Sequence, residues 1–338
     1  MQIAFFSEKI GGCYHYRTAI PFTALEEDGV EVLPLEGGDK FKSYIKSVQL
    51  ARSYPIDLQE GIDFCKENQI KIIYDLDDAT DLVDKTNYYY RNFNSDMSKQ
   101  IDKLLNDADI VTTTTEKMKE YLSKKTDKPI VIYPNCLDYD DWSLRKGKQE
   151  RLRIGFSGSM GHIPDLLHVL PIISKLQKKY DFDFIIQGMG YEPYNTYFEF
   201  LQDGSTQELK DKLIEMDRLL SDMNFEWIRW VDSKVHPTLL RELNLDIGIC
   251  PLDDREFNLY KSAVKFYEYS AVGTLTIAED MLPYSEEPCI LTKDWEATLE
   301  EYILNEEKRK EETLKQHEWV RKNRNVIDYL PLLKEIYL

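Results

Sequence analysis

The chain has no C-x-x-C pair, no uninterrupted apolar run near membrane-spanning length, no G-x-G-x-x-G between an opening strand and its helix, and no excess of positive charge. Each absence removes a class of protein. The five cysteines (Cys13, Cys65, Cys136, Cys250 and Cys289) are scattered and odd in number. That argues against a disulfide framework and a zinc site, and it fits a reducing cytoplasm. The opening "MQIAFFSEKIGG" has no basic segment ahead of a long apolar stretch, so neither an export signal nor an integral membrane segment is expected. Without the glycine fingerprint, a Rossmann-type NAD enzyme is disfavoured. The 43 lysines and arginines are outnumbered by 61 aspartates and glutamates, for a net charge of −18. General attraction to phosphate backbones or anionic membranes is thereby disfavoured, although a local basic pocket can coexist with acidic outer faces.

The 338 residues, 42% of them hydrophobic, exceed one ordinary core and suit two domains of roughly 150 residues each. Short apolar runs ending in polar or glycine-rich turns read as strands: "QIAFFS", "KIIYDLDD", "DIVTTTT" and "IVIYPN" in the first half, then "LRIGFSGS", "FDFIIQG", "FEWIRWVD", "DIGICPL", "TLTIAE" and "CILT" in the second. Helix-length segments such as 165–179 and 207–222 separate them. This alternation indicates an α/β protein with parallel sheets in two Rossmann-like domains. The polar, charged stretch 143–153, "SLRKGKQERLR", reads as the linker. It divides the chain into 1–148 and 149–314, followed by a helical tail, 315–338. The dense mixed charge of the helical stretch 299–338 is read as a solvated helix face.

Most of the chemistry is expected in "FNLYKSAVKFYEYSAVGTLTIAED", residues 257–280. On a helix, at about 100° per residue, Lys261, Lys265 and Glu268 fall within roughly 60° of one another, while Ala263, Val264, Tyr267 and Ala271 share an adjoining apolar arc. Surface Lys–Glu pairs are the bland alternative. The segment, however, follows the strand "DIGICPL" through a loop containing Asn258. Ligands of open α/β sheets bind outside the carboxyl ends of strands, near helix N-termini that favour phosphate. Lys261 and Lys265 therefore read as diphosphate ligands and Glu268 as an acceptor for ribose hydroxyls.

Two glycine-containing turns follow opening strands. "GFSGSMGH" runs from Gly155 to His162, and "SEKIGGCYHYR" carries Gly11, Gly12, His15, Tyr16 and Arg17 toward a helix. Small residues let backbone approach a phosphate closely, although both turns have purely structural readings, and Asp165 reads as a first-turn helix residue. In "YDLDDATD", Asp75, Asp77 and Asp78 could hold Mg²⁺ or Mn²⁺ beside a diphosphate. The simpler reading, in which Asp77 or Asp78 caps the next turn, is preferred, so no metal is expected. In "TTTTEKMKEYL" the third or fourth threonine is expected to cap a helix.

Taken in order, "YRTAIPFTAL", "YDLDDATD", "DADIVTTTTEKMKEYL", "VIYPNCLDYDDW", "IGFSGSMGHIPDL", "DIGICPLDDREFNLYKSAVKFYEYSAVGTLTIAE" and "HEWVRKNRN" resemble the retaining glycosyltransferases of the two-domain GT-B fold, over nearly the whole chain. The resemblance implies a nucleotide-sugar donor held mainly by the second domain, with UDP as the expected nucleotide, and no separate cofactor. It also implies an acceptor on the first domain and a final helix crossing back to that domain. Lys261 and Lys265 would meet the diphosphate and Glu268 the ribose. Gly11 and Gly12 would lie against the phosphates from the opposite wall. Ser157, Gly158, Ser159 and His162 would border the donor, as would Asn258, Tyr260 and Ser262. His15 or Arg17 would contact sugar or acceptor. Such enzymes carry two glutamates separated by seven residues, and the position eight before Glu268 is Tyr260. That departure keeps a nucleotide-sugar-binding protein without turnover open beside the transferase. Related sequences occur in bacterial surface-polysaccharide synthesis and in bacteriophages, which implies as acceptor a glycan or a hydroxymethylated base in DNA.

Overall fold

The computed structural model describes residues 2–7, 11–35, 45–51, 59–90, 95–145, 147, 150–189 and 205–338. Its first sheet contains β1 (Gln2–Ser7), β2 (Glu31–Pro34), β3 (Ile45–Ala51), β4 (Lys71–Asp75), β5 (Ile110–Thr113) and β6 (Ile130–Ile132). They lie in the order β2-β1-β3-β4-β5-β6, every pair parallel. The second contains β7 (Leu152–Ser157), β8 (Phe182–Gln187), β9 (Phe225–Ile228), β10 (Ile247–Cys250), β11 (Leu275–Glu279) and β12 (Ile290–Thr292). Their order is β12-β11-β10-β7-β8-β9, again all parallel. Parallel strands covered by helices on both faces become continuous apolar runs, as in β10, where Ile247 to Cys250 are all buried.

The six strands expected in the second half are all present. In the first half β2 and β3 are additional. β2 is a four-residue edge strand ending in Pro34, a position where a missing N–H costs no ladder bond. β3 is central, yet it carries buried Ser47 and Gln49. Their partners lie far away in sequence: Ser47 Oγ donates to the Tyr337 carbonyl at 2.7 Å, and Gln49 Nε2 to the Arg17 carbonyl at 3.0 Å. A buried polar group needs such a partner, and local sequence cannot display it.

The helix expected at 165–179 spans Ile163–Gln177, and that at 207–222 spans Gln207–Leu220. Thr115 caps Glu116–Leu122, its side chain accepting from the Met118 amide. The tail departs from the expected single element. Glu306–Asn323 packs on the second domain, the chain turns through Val326–Tyr329, and Leu330–Tyr337 docks on the first domain against Phe22, Ser47 and Lys71. The crossing is fastened by Leu137, which exchanges backbone bonds with Arg324 and Val326 at 2.8 and 2.9 Å. The start of the linker is also not a free spacer: Arg145 bonds the Gly273 carbonyl at 2.9 Å and Asp246 at 3.0 Å. Among the described residues no helix is long and apolar enough to cross a membrane.

Candidate functional site

Strand order reverses direction between β1 and β3 in the first sheet and between β7 and β10 in the second. Connections diverge from such a switch point and leave a crevice at the strands' carboxyl ends. The two crevices face each other across one cavity of about 690 Å³, lined from both domains.

The first wall begins at Gly11, whose φ of +88° suits glycine and would strain a larger residue. Gly11–Tyr14 is α-helical, His15–Ala19 forms a π turn, and Ile20–Glu27 resumes the α-helix. Wide turns of this kind gather at functional sites, and this one buries His15, Tyr16, Arg17 and Thr18. Gly11, Gly12, His15 and Tyr16 line the cavity. Burial lowers the His15 pKa, against the opposing pull of Glu268, and His236 lowers it further; the ring is therefore neutral near pH 7.

Arg17 does not line the cavity. It is buried in its own domain, bonding both Asp75 oxygens at 2.6 to 3.2 Å and the Tyr133 carbonyl at 2.5 Å. The expected contact of Arg17 with sugar or acceptor is thereby corrected, and so is Asp75 as a metal ligand, because Thr112 Oγ1 donates to the same carboxylate at 2.6 Å. Asp77 and Asp78 do line the cavity, and with Cys13 their ligand atoms lie within 4.8 Å of one another. The turn that follows, Thr80–Leu82, starts at Ala79.

On the second wall the helix starts at Val264 and ends at Ala271. Lys261 therefore lies ahead of it, in an extended residue, and not on the expected helical strip. The two lysines still converge on the cavity. Lys261 Nζ sits 4.4 Å from the centroid of the Phe257 ring and Lys265 Nζ 4.8 Å from that of Phe156. Lys265 is only 8% exposed, and its ammonium has no hydrogen-bond partner among the described residues. Burial, with Lys261 adding to it against the pull of Cys250, Asp165 and Glu268, brings its pKa down to about 8. An unpaired buried cation is costly, and an anion entering this cavity removes that cost. Gly158 makes room for it: a Cβ there would lie 2.8 Å from the Phe156 ring and 3.2 Å from Lys265 Nζ.

His162 and Asp165 form a further unit. His162 Nδ1 lies 2.7 Å from Asp165 Oδ2. The other Asp165 oxygen accepts from Arg255 at 2.9 Å, Asn258 at 2.8 Å and the Asp253 amide at 3.1 Å. Burial works to raise the Asp165 pKa, but His162 and Arg255 outweigh it and hold the carboxyl well below the usual range. Burial, then Lys265 and Lys261, push His162 down to about 3. The network thus assigns a neutral ring with Nδ1–H given to Asp165 and Nε2 left as an acceptor. Asn258 belongs to this network and does not line the cavity. Tyr260 does not line it either: it packs on Tyr121 of the first domain, with ring centroids 4.9 Å apart. Both expected ligand contacts are corrected. Ser157, Ser159 and Ser262 line the cavity, with Ser262 Oγ accepting from Asn135 at 2.8 Å.

Glu268 receives the Tyr16 hydroxyl at 2.5 Å, and His236 Nε2 lies 3.5 Å from the same oxygen. Burial works to raise its pKa, but His236 and Tyr16 prevail and lower it, so it is ionised. Tyr16 and His236 were outside the expected site. His236 opens the helix His236–Leu243, and "VHP" carries no signal beyond a helix start.

No protein-family profile matches the chain, and no curated protein matches it. Solved structures do. A sucrose-phosphate synthase from Thermosynechococcus elongatus superposes with a TM-score of 0.71 at 12% identity, over 99% of this chain and 98% of that one. An alpha-glucosyltransferase in complex with UDP and a 13-mer DNA containing an HMU base gives 0.63 at 12% identity, covering 100% and 99%. The catalytic domain of starch synthase IV from Arabidopsis thaliana bound to ADP and acarbose gives 0.61 at 10% identity, covering 99% and 98%. The chain has the GT-B fold: two Rossmann-like domains about a cleft, with the C-terminal helix returned to the first.

Proposed function

We propose that this chain is a glycosyltransferase that moves a sugar from a nucleotide-diphosphate sugar to an acceptor hydroxyl, with retention of anomeric configuration. UDP is the expected nucleotide, and the acceptor is a glycan or a hydroxymethylated base in DNA. The observation that carries this reading is the Lys265 ammonium, buried in the inter-domain cavity without a partner and seconded by Lys261. A diphosphate at this point gives Lys265 its missing acceptors. It also meets the N-terminus of the helix Val264–Ala271, where the helix dipole favours an anion. Glu268 accepts ribose hydroxyls, and the neutral His162 Nε2 can accept from a donor hydroxyl. The two structural neighbours named with UDP or ADP support a nucleotide donor, and the one named with DNA supports the DNA alternative.

In the transfer the bond between the anomeric carbon and the phosphate oxygen breaks, and the acceptor oxygen bonds to that carbon on the same face. The acceptor proton passes to the departing phosphate oxygen. Lys261 and Lys265 stabilise the charge that develops on the leaving group. Because two lysines and a helix terminus already neutralise the diphosphate, transfer is expected to proceed in EDTA.

A thermal-shift panel of nucleotide sugars tests the reading, since a ligand at a hundred times its dissociation constant stabilises by about 2.7 kcal/mol. Product analysis follows, with an α-linked product expected from an α-linked donor. Failure of every nucleotide sugar to stabilise the protein overturns the proposal. Stabilisation without hydrolysis or transfer makes it a binding protein, the reading that Tyr260 keeps open.

A further inference from the structure

The donor contacts proposed above all come from the second domain, yet the carboxylate assigned to the ribose is held from the first. Tyr16 sits in the π turn, almost fully buried, its ring edge-on to His15 with centroids 4.9 Å apart. Its hydroxyl donates to Glu268 Oε1 at 2.5 Å across 252 positions of sequence. On the other side, His236 Nε2 lies 3.5 Å from that same Oε1. Neither contact uses Oε2. A carboxylate fixed at one oxygen presents the other at a defined position instead of sampling rotamers, which is how a supporting residue sharpens a ligand contact.

From this geometry we infer that Tyr16 positions Glu268 for the ribose, so that the domain opposite the donor sets part of the donor's affinity. The inference rests on the proposed reading of Glu268 as the ribose ligand. Burial and the adjacent Glu268 raise the Tyr16 pKa well above its ordinary value, so the phenol keeps its proton and acts toward the carboxylate as a donor. The bond joins residues of different domains. Ribose recognition is thereby tied to the contact between the two walls of the cleft.

The test uses the full chain and isothermal titration with three probes: UDP, its 2′,3′-dideoxy analogue and inorganic pyrophosphate. Tyr16→Phe keeps the ring and removes the hydroxyl. The expected result is about a 10-fold weaker affinity for UDP, with the dideoxy analogue and pyrophosphate almost unaffected, so that the ribose preference shrinks. Glu268→Gln is expected to abolish the preference, and adding Tyr16→Phe to it should cost nothing more, since the two act as one unit. An unchanged ribose preference in folded Tyr16→Phe overturns the inference. So does an equal loss for all three probes, which makes Tyr16 a general support of the cleft. A wild-type protein that binds none of the probes, or does not prefer ribose, overturns the functional reading itself.

Discussion

Among the described residues each domain buries one lysine or arginine, and the two are opposites. Arg17, in the first domain, is 2% exposed and surrounded by acceptors from Asp75, Tyr133 and Asn135. Burial works against its charge, yet Asp75 raises its pKa above the ordinary arginine value. Lys265, in the second, is almost as buried, has no acceptor among the described residues, and falls to about 8. Burial alone therefore does not distinguish a structural charge from a ligand-binding one. The partners do: a satisfied cation holds its own domain together, whereas an unsatisfied one leaves a free-energy cost that a ligand can remove.

The comparison breaks most visibly at Arg17. Arg17→Met strands the Asp75 carboxylate, and removing one partner of a buried pair typically costs 3–5 kcal/mol. Urea unfolding should show a loss of about that size. Near-normal stability with lost donor binding would reverse the roles assigned to the two cations.

Lys265→Met should do the opposite. Donor affinity is expected to fall by about 1.5–3 kcal/mol, the usual range for charge-assisted hydrogen bonds, while unfolding at pH 7 becomes harder because a buried unpaired charge is gone. Titration of the donor and calorimetry on the same sample check both signs. Lower stability with intact affinity would make Lys265 an ordinary core residue.

Titration sharpens the contrast further. The folded pKa of Lys265, about 8, lies below the ordinary lysine value of 10.5, so between those limits the unfolded chain holds the proton and the folded chain does not. Stability contributed by this group therefore rises with pH across that window and is lost as pH falls through about 8. Donor affinity runs the other way, falling by at most about tenfold per pH unit above 8 as the ammonium is lost. Both slopes should vanish in Lys265→Met. Parallel slopes, or slopes that survive the substitution, would assign the titration to another group.

Lys261→Ala is expected to have the smallest effect. Its ammonium is partly exposed, and a solvated charge contributes about 1 kcal/mol or less. A loss of donor affinity equal to that of Lys265→Met would place the two lysines on equal terms.

Much of the fold was legible because its signal is local. The strands of the second sheet are short apolar runs between turns, and Thr115 announced its helix. β3 was not legible, since Ser47 and Gln49 look solvent-facing until Tyr337 and Arg17 arrive as partners. Within the site, the cluster of Lys261, Lys265 and Glu268 was visible, but the exact strip was not: the helix begins only at Val264, after the five-residue turn Glu256–Tyr260. Asn258 and Tyr260 read as ligand contacts because they flank the lysines. Asp165 and Tyr121 claimed their side chains instead.

The sequence by itself determined two α/β halves and a pair of lysines after the fourth strand of the second half. These depend on the spacing of neighbouring residues, which the chain carries however it is folded. Only the tertiary structure decided which cation is satisfied and which carboxylate is held. Arg17 meets Asp75 across 58 positions and Tyr16 meets Glu268 across 252. Such pairs form when parallel strands bring distant turns to one end of a sheet and two domains meet, an outcome no local pattern encodes.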